Sequence, residues 1–442
     1  MRLLIGSDGP ASLGEQADVR AWTQRLLWFA EEGDAIVLMD APDPDFVEHV
    51  TGLIGVDPSR LRFHVMSSRW KGGNFDAWSL LDKGFQDALV ADAVAANEVV
   101  ALWPSTEIGW LVKSLEIEHK VPGAAFMREG GGALSNSKVL FRALAAGAGV
   151  SVPIGGVCRS TEDAFRLSGH LLHEGHAFVV KRDYGGGGAG NEIVYAQRLE
   201  VSHAGHASAE AVEATSESLH AYWERRWQWA SSYGTHPVVV EAFVPDARTL
   251  YVEVMCGDNG VGTGKIGELK FEDGQITREV FPAQEIPTTV LVQLQNAADR
   301  LARVYLAAGY RGRLSLDSVV TSDGRIFFTE VNARFTSSTH LYEQIAHRVA
   351  RVAEAPGRVV VQTLSPPSWQ LQSLRQLLDT LSRHGLTFDP ASRRGVLAVT
   401  PLVHGSGQLL LAAVAEHEAA AVELVDCVHR AVVQSGVSGR SQ

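Results

Sequence analysis

The first third of the chain alternates short, continuously apolar runs with stretches in which apolar residues recur at helical spacing. The apolar runs lie at residues 3–6, 35–39, 62–67 and 98–104, and the helical spacing is clearest over 18–33. Continuous apolar strands separated by helices are typical of a parallel sheet that is covered on both faces. No glycine fingerprint follows the first strand, so we expect a Rossmann-like scaffold that binds no dinucleotide.

The middle of the chain has a mixed pattern that predicts both helices and antiparallel strand pairs. Helices are predicted at roughly 136–146, 161–174 and 290–308. Residues 198–220 are small and polar, and we expect a mobile, solvated insertion whose three histidines have no metal-site spacing. The predicted strand pairs are 176–181 with 192–197, 237–244 with 249–256, and 313–320 with 325–332.

The last part of the chain alternates strands and helices again. An apolar strand at 358–364 is followed by a helix, two further strands and a closing helix. The first of these helices has a stripe of leucines, which we expect to be buried in the core. The glycine-rich stretch 130–138 marks a domain boundary. These patterns predict an α/β protein with a Rossmann-like N-terminal domain over 1–129, a central domain over 130–355 and a small C-terminal α/β domain over 356–442.

Composition and charge narrow the class of protein. The 442 residues are 45% hydrophobic and 20% charged, which is typical of a globular protein with a proper core. A formal charge of −12, without a basic stripe, disfavours a nucleic-acid partner. No apolar run has the length of a signal-peptide core or a membrane span, and the three cysteines lie far apart. We therefore expect a cytoplasmic protein with no membrane partner.

The strongest local signal is the hairpin around Asp323-Gly324, which separates two apolar runs. A two-residue turn at this position sets Asp317 directly opposite Glu330, and Asn332 shares the face of Glu330. Facing carboxylates destabilise a sheet unless a cation lies between them. These oxygen ligands suit Mg²⁺. We expect a metal site here, and the alternative is a different register with solvated edge residues.

A second signal is a glycine tract at 185–190, which follows a strand ending at Lys181 and precedes another strand. Adjacent glycines weaken regular structure and let backbone amides approach a phosphate. The tract contains a GxGxxG match, but a strand rather than a helix follows it, so a dinucleotide site is excluded. Residues 261–267 resemble a Walker loop only superficially, since Ile266 replaces its Ser/Thr. The alternative for the tract is a disordered surface hairpin.

A third signal is Lys138 at the start of a predicted helix that Asn136 or Ser135 can cap. Helix amides and a lysine together form an anion site. Taken alone, a lysine in the first turn is usually just solvated.

The order of these signals over 130–350 resembles the ATP-grasp family. The resemblance implies an ATP site with Mg²⁺ or Mn²⁺ at Asp317, Glu330 and Asn332. Arg334 matches the arginine near the transferred phosphate, and Arg313 is a second candidate because many members carry an arginine where Ser315 stands. The matching nucleotide-binding positions are Lys138, Lys181, Gly185, Gly186, Gly187, Gly188, Glu241, Phe243 and Val244.

Over essentially the whole chain, the sequence is similar to the peptide ligases related to that of pheganomycin biosynthesis. The resemblance implies an antibiotic-biosynthesis ligase that joins a small carboxylic acid, a nonproteinogenic amino-acid donor, to a peptide α-amine. It implies an acyl phosphate and release of ADP and phosphate. Two alternatives are a kinase that releases a phosphorylated product and a non-catalytic nucleotide-binding scaffold. Self-association to a homodimer stays open.

Overall fold

The computed structural model describes residues 1–6, 22–65, 80–197, 204–355, 357–403 and 406–438. The first sheet consists of four parallel strands: β1 (Leu3–Ile5), β2 (Ala35–Leu38), β3 (Arg62–Val65) and β4 (Val99–Ala101). Their order is β3-β2-β1-β4. Leu4 and Ile36 pack into one hydrophobic cluster and Leu3 and Val37 into another, so both faces are covered. The parallel, doubly covered sheet predicted from the apolar runs is confirmed.

Helices surround this sheet. Within 18–33 the described residues are helical over 22–29, and the last part is a 3₁₀ helix over Gln24–Phe29 in which nearly every side chain is buried. Tertiary packing on all sides, not an amphipathic face, sets its conformation. The α-helices are α1 (Pro44–Ile54), α2 (Lys83–Ala95), α3 (Thr106–Ser114), α4 (Ala124–Arg128) and α5 (Gly131–Ser135), with 3₁₀ turns at Pro58–Arg60 and Glu118–Lys120.

The second sheet has five strands: β5 (Gly155–Cys158), β6 (Phe178–Arg182), β7 (Asn191–Tyr195), β8 (Ser208–Ala211) and β9 (Val238–Ala242). Their order is β5-β9-β6-β7-β8, and all neighbours are antiparallel except β7 and β8. The helices of this part are α6 (Lys138–Gly147), α7 (Thr161–His173) and α8 (Ser216–Ala230). The predicted helices near 136–146 and 161–174 are confirmed.

The third sheet has eight strands in the order β14-β13-β10-β11-β12-β15-β17-β16. They are β10 (Ala247–Gly257), β11 (Gly260–Glu272), β12 (Gln275–Phe281), β13 (Gly312–Thr321), β14 (Ile326–Asn332), β15 (Val359–Leu364), β16 (Gly395–Ala398) and β17 (Leu410–Ala415). The helices are α9 (Thr288–Ala307), α10 (Ser337–His340), α11 (Leu374–Arg383) and α12 (Glu418–Ser438), with a π-helix at Leu341–Val349 and 3₁₀ turns at Val352–Glu354 and Pro367–Trp369.

Two sequence predictions are wrong in this region. The strands predicted to pair over 237–244 and 249–256 lie in different sheets, because β9 is already flanked by β5 and β6, and β10 by β13 and β11. The insertion predicted as a loop over 198–220 contains strand β8 and the start of α8. Its half-exposed strand pairs along β7, a partner that local composition does not reveal. His203 lies outside the described residues.

No helix in the described ranges combines the length and apolar character needed to cross a bilayer.

Candidate active site

A cavity of about 410 Å³ lies between the turn from β6 to β7 and one face of the eight-stranded sheet. Residues paired directly across antiparallel strands point to the same face. The register aligns Glu330, Asp317 and Tyr251 in one row, and Leu269, Glu279 and Gln362 in a neighbouring row. The cavity is therefore built on a strip of mostly polar residues across six strands.

Asp317 is paired with Glu330, as the sequence predicted. The route to this pairing differs from the prediction. Thr321 pairs with Arg325 around a three-residue turn, where a two-residue turn was expected. A bulge at Thr329 shifts the register back by one residue. The two deviations cancel, so the facing carboxylates arise from a longer turn and a compensating bulge.

The carboxylates form a compact cluster with one lysine and one amide. Lys138 Nζ lies 2.9 Å from Glu330 Oε1, and Asn332 Nδ2 donates to Asp317 Oδ2 at 3.2 Å. Enclosure in the protein and the adjacent Glu330 carboxylate raise the pKa of Asp317 well above its ordinary value. A second negative charge beside Glu330 is therefore unfavourable unless a cation offsets it.

This donor set fits Mg²⁺, which favours carboxylate and carbonyl oxygens and keeps other positions for phosphate or water. No group of three or more His, Cys, Asp or Glu side chains among the described residues is arranged to hold a metal ion. A metal site here would depend on Asp317, Glu330, the amide of Asn332 and oxygens from the substrate.

Lys138 is the first residue of α6 and is almost fully buried. The helix is capped by Ser137, whose side chain accepts from Leu140 N, and not by the predicted Asn136 or Ser135. Besides its contact with Glu330, Lys138 Nζ donates to the Gly185 carbonyl at 2.7 Å. The lysine therefore joins the helix start to the glycine tract and the carboxylate pair.

Lys181 lines the cavity between two acceptors. Its Nζ lies 2.5 Å from Glu241 Oε1 and donates to the Thr329 carbonyl, exposed by the bulge, at 3.0 Å. The other oxygen of Glu241 contacts Arg142 at 2.7 Å. Sequence reasoning missed Arg142, although it lies four residues after Lys138 on the same helix.

The apolar end of the cavity lies beside Lys181. Phe243 packs with Val179 and Ile193 in a small hydrophobic cluster, and Val244 lies next to it in the lining. An apolar surface beside a buried carboxylate and a lysine is one on which a heteroaromatic ring can stack.

The glycine tract forms the turn between β6 and β7, as predicted. Gly186, Gly187 and Gly188 line the cavity, whereas Gly185 contributes the carbonyl bound by Lys138. The neighbouring Asp183, which sequence reasoning missed, accepts from Ser137 Oγ and Val139 N. It anchors the glycine turn to the start of α6.

The two candidate arginines lie in different places. Arg334 lines the cavity, stacks 4.7 Å from the Trp103 ring and donates to Asn136 Oδ1 at 2.6 Å. Arg313 does not line the cavity, because Glu343 binds it through two contacts of 2.6 and 2.7 Å. Of these two arginines, the structure brings only Arg334 to the carboxylate pair.

The cavity extends beyond the predicted residues to a polar end that sequence reasoning missed. Glu279 lies there, on strand β12, whose mixture of polar and apolar residues gives no sequence signal for a site. Other members of this end are Trp22, Arg25, Trp103, Thr336, Ser337, Ser338, Gln362 and Thr363.

Comparisons with known proteins agree with this architecture. Residues 23–117 match the pre ATP-grasp domain, and residues 137–353 match the ATP-binding domain of the carbamoyl-phosphate synthase L chain. The chain is 29% identical over 234 residues to human pyruvate carboxylase, covering 49% of this chain and 17% of that protein. It is 22% identical over 255 residues to the propionyl-CoA carboxylase alpha chain of Ruegeria pomeroyi, covering 55% and 33%. The alignments thus span a minor part of these relatives.

Solved structures resemble the chain along nearly its whole length. Biotin carboxylase from Campylobacter jejuni superposes with a TM-score of 0.57 at 16% identity, covering 96% of this chain and 89% of that one. An N5-carboxyaminoimidazole ribonucleotide synthetase in its ADP complex superposes with a TM-score of 0.56 at 13% identity, covering 97% and 95%. Identities this low establish the fold alone. Because two successive domains match and the fold is shared from end to end, this chain belongs to the ATP-grasp family.

Proposed function

We propose that the protein is an ATP-dependent ligase that joins an amino-acid-like carboxylate to the α-amine of a peptide through an acyl phosphate. The observation that carries the proposal is the facing pair of Asp317 and Glu330 beside Lys138. The pair lies at one side of a cavity of about 410 Å³. The donor is a nonproteinogenic amino acid in this proposal, and the setting is the biosynthesis of a peptide natural product.

The nucleotide lies between the two sheets in this proposal. Phe243 and Val244 contact the adenine, and Lys181, already fixed by Glu241, lies against the phosphates or the ring edge. The amides of Gly186 to Gly188 and the ammonium of Lys138 then face the phosphate chain. Their positive charge offsets the negative charge of the triphosphate in an acidic protein.

The carboxylate pair and Asn332 hold Mg²⁺ in this proposal, as their oxygen chemistry allows. Mg²⁺ at that position would neutralise the β- and γ-phosphates and hold them in line for transfer. The protein needs no nucleophile of its own, because phosphoryl transfer depends mainly on positioning and charge stabilisation.

Arg334 is our candidate for holding the acid and its acyl phosphate. It lines the cavity beside Asn332, and its guanidinium is oriented by Asn136 and Trp103. A planar guanidinium binds a carboxylate or a phosphate through two parallel hydrogen bonds. Arg313 does not bind substrate in this proposal, because its guanidinium is already bound to Glu343.

The reaction consists of two balanced displacements. An oxygen of the acid attacks the γ-phosphorus, and ADP leaves with the electrons of the broken bond. The amine nitrogen then attacks the acyl carbon, the carbon–oxygen bond to phosphate breaks, and the phosphate leaves with a proton from the nitrogen. The products are an amide and hydrogen phosphate.

The test is product analysis with a panel of amino acids and a mixture of dipeptides. We expect ADP, inorganic phosphate and an amide seen by mass spectrometry, and a hydroxamate when hydroxylamine replaces the dipeptides. A stable phosphorylated product without free phosphate would favour the kinase. AMP with pyrophosphate would contradict the acyl-phosphate route.

A second candidate comes from the relatives, whose names describe carboxylases. In that case the acid is bicarbonate and the acceptor nitrogen becomes carboxylated. ATP cleavage stimulated by bicarbonate, and not by any amino acid of the panel, would favour the carboxylase over the peptide ligase.

A further inference from the structure

Glu279 is a buried carboxylate at the polar end of the cavity, separated from Asp317 by strands β10 and β11. It is 3% exposed and belongs to the cavity lining. Its Oε2 accepts a hydrogen bond from Gln362 Nε2 at 3.0 Å. Its Oε1 is buried and has no hydrogen-bond partner among the described residues. A buried acceptor without a donor is costly unless a ligand supplies one.

The groups behind Glu279 hold it in one orientation. Burial lowers the pKa of His340 to about 3, so its ring stays neutral. Its Nε2 lies 3.1 Å from Gln362 Oε1, an oxygen that can only accept, so Nε2 carries the ring proton. On its other side, Gln362 presents its amide nitrogen to Glu279 Oε2. This chain of donors serves Oε2 and leaves Oε1 unpaired in the cavity wall, close to the hydroxyls of Tyr251 and Ser338.

The other carboxylates of the described lining are occupied. Both oxygens of Glu241 bind cations, and Asp317 and Glu330 form the candidate metal pair beside Lys138. Glu279 is thus the carboxylate of that lining with a buried oxygen that lacks a hydrogen-bond donor.

We propose that Glu279 Oε1 receives the ammonium group of the amine substrate and takes one of its protons before the amine attacks the acyl phosphate. This inference rests on the proposed ligase function. The proton leaves the ammonium for Glu279, and the nitrogen lone pair so freed forms the bond to the acyl carbon. The second proton lost by the nitrogen leaves with the departing phosphate, which gives hydrogen phosphate and the amide.

The acidity of Glu279 suits this transfer. Burial raises the pKa of Glu279 to about 7, and a peptide α-ammonium has a pKa of about 8. Proton transfer between groups of similar pKa needs little driving force. The charged or titratable groups that face Glu279 are Arg25 from the 3₁₀ helix, Tyr251 and Glu253 from β10, and Asp317 from β13.

The test compares two nucleophiles in Glu279→Gln. Dipeptides reach the enzyme mainly as ammonium ions, whereas hydroxylamine is already uncharged at neutral pH and needs no base. We expect amide formation with the dipeptide mixture to fall about 100-fold, while hydroxamate formation falls no more than about threefold relative to wild type. The pH dependence of amide formation near neutrality should be lost in the same variant.

Two further variants complete the experiment. Glu253→Gln, a buried glutamate of the same sheet face that does not line the cavity, should keep both rates. Glu279→Asp keeps a carboxylate and should restore part of the amide rate, and it carries the two-nucleophile comparison if the Gln variant does not fold. Equal losses with dipeptides and hydroxylamine, or no loss with either, would overturn the inference. A wild-type protein that forms neither hydroxamate nor amide would instead contradict the ligase function itself.

Discussion

At the scale of single residues, the polar strip on the sheet is unusual because several carboxylates are buried close together. Burial raises the pKa of Glu253 to about 8 and that of Glu279 to about 7, and Asp317 is raised by burial and by Glu330. A carboxyl group with a raised pKa binds its proton more strongly in the folded protein than in the unfolded chain. Protonation of such a group therefore stabilises the folded protein fully at pH values below the ordinary pKa. This stabilisation is lost as the pH rises through the raised pKa.

Asp317→Asn should separate function from stability. The variant removes a charge that the fold tolerates poorly, so in EDTA we expect it to unfold at higher denaturant concentration than wild type at pH 8.5. At pH 5 the difference should be smaller. Each pKa unit corresponds to about 1.4 kcal/mol, so a gain of about 1–2 kcal/mol at pH 8.5 is expected. ADP formation should fall below detection, because the candidate metal pair is lost.

Glu253→Gln is the matched control for Asp317→Asn. It should raise stability at alkaline pH in the same direction, since its carboxyl group is also buried. It should keep activity, because its side chain does not line the cavity. Retained ADP formation in Asp317→Asn would remove Asp317 from the metal site.

At the scale of elements, the glycine turn depends on a close approach between two segments. Gly188 has φ +83°, and a Cβ there would lie 2.7 Å from the Gly205 carbonyl carbon. The segment of Gly205 is fixed in turn to the β11–β12 turn, where His206 N donates to the Gly274 carbonyl at 3.0 Å. Both segments line the cavity. The glycine turn can therefore pack this closely against the Gly205 segment only while residue 188 has no side chain.

Gly188→Ala should weaken binding of a nonhydrolysable ATP analogue about tenfold, or about 1.4 kcal/mol, by calorimetric titration. Gly187→Ala is the control, because Gly187 also has positive φ, +62°, but a Cβ there meets nothing within 4 Å. Gly187→Ala should weaken binding only slightly, by the small conformational cost of an alanine with positive φ. Equal losses of affinity in both variants would mean that backbone strain, and not the contact with Gly205, governs binding.

At the scale of the whole molecule, the eight-stranded sheet joins parts of the chain that the sequence pattern separates. Strands β15, β16 and β17 come from the segment after 355, yet they extend the sheet that carries the candidate site. Trp28 Nε1 donates to the Val399 carbonyl at 2.9 Å. One hydrophobic cluster includes Trp28 and Ile36 together with Leu397 and Val414. The N-terminal and C-terminal parts therefore share a core.

A fragment of residues 1–355 should consequently fail to form a cooperative structure. It would expose the edge of β12 and remove much of the shared hydrophobic cluster. We expect aggregation, or a broad unfolding transition by circular dichroism, and recovery when residues 356–442 are co-expressed. A monomeric fragment with a sharp transition would show that the proposed C-terminal domain is dispensable for folding.

The sequence by itself determined the local features. Apolar runs and helical spacing predicted the parallel first sheet and helices α6, α7 and α9, and Asp323-Gly324 predicted a hairpin. These features follow from interactions between residues near each other in the chain, so periodicity and turn chemistry suffice to predict them. The order of the motifs also placed the chain in the ATP-grasp family before any geometry was known.

Only the tertiary structure decided which distant residues meet. It placed β9 and β10 in different sheets, restored the Asp317–Glu330 register through a bulge at Thr329 and fixed Arg313 away from the cavity. It also brought Glu279 to the cavity, although nothing in its neighbourhood in the chain distinguishes it. The physical reason is that the choice of strand partners and the burial of a charge depend on contacts between residues far apart in sequence, which no local pattern encodes.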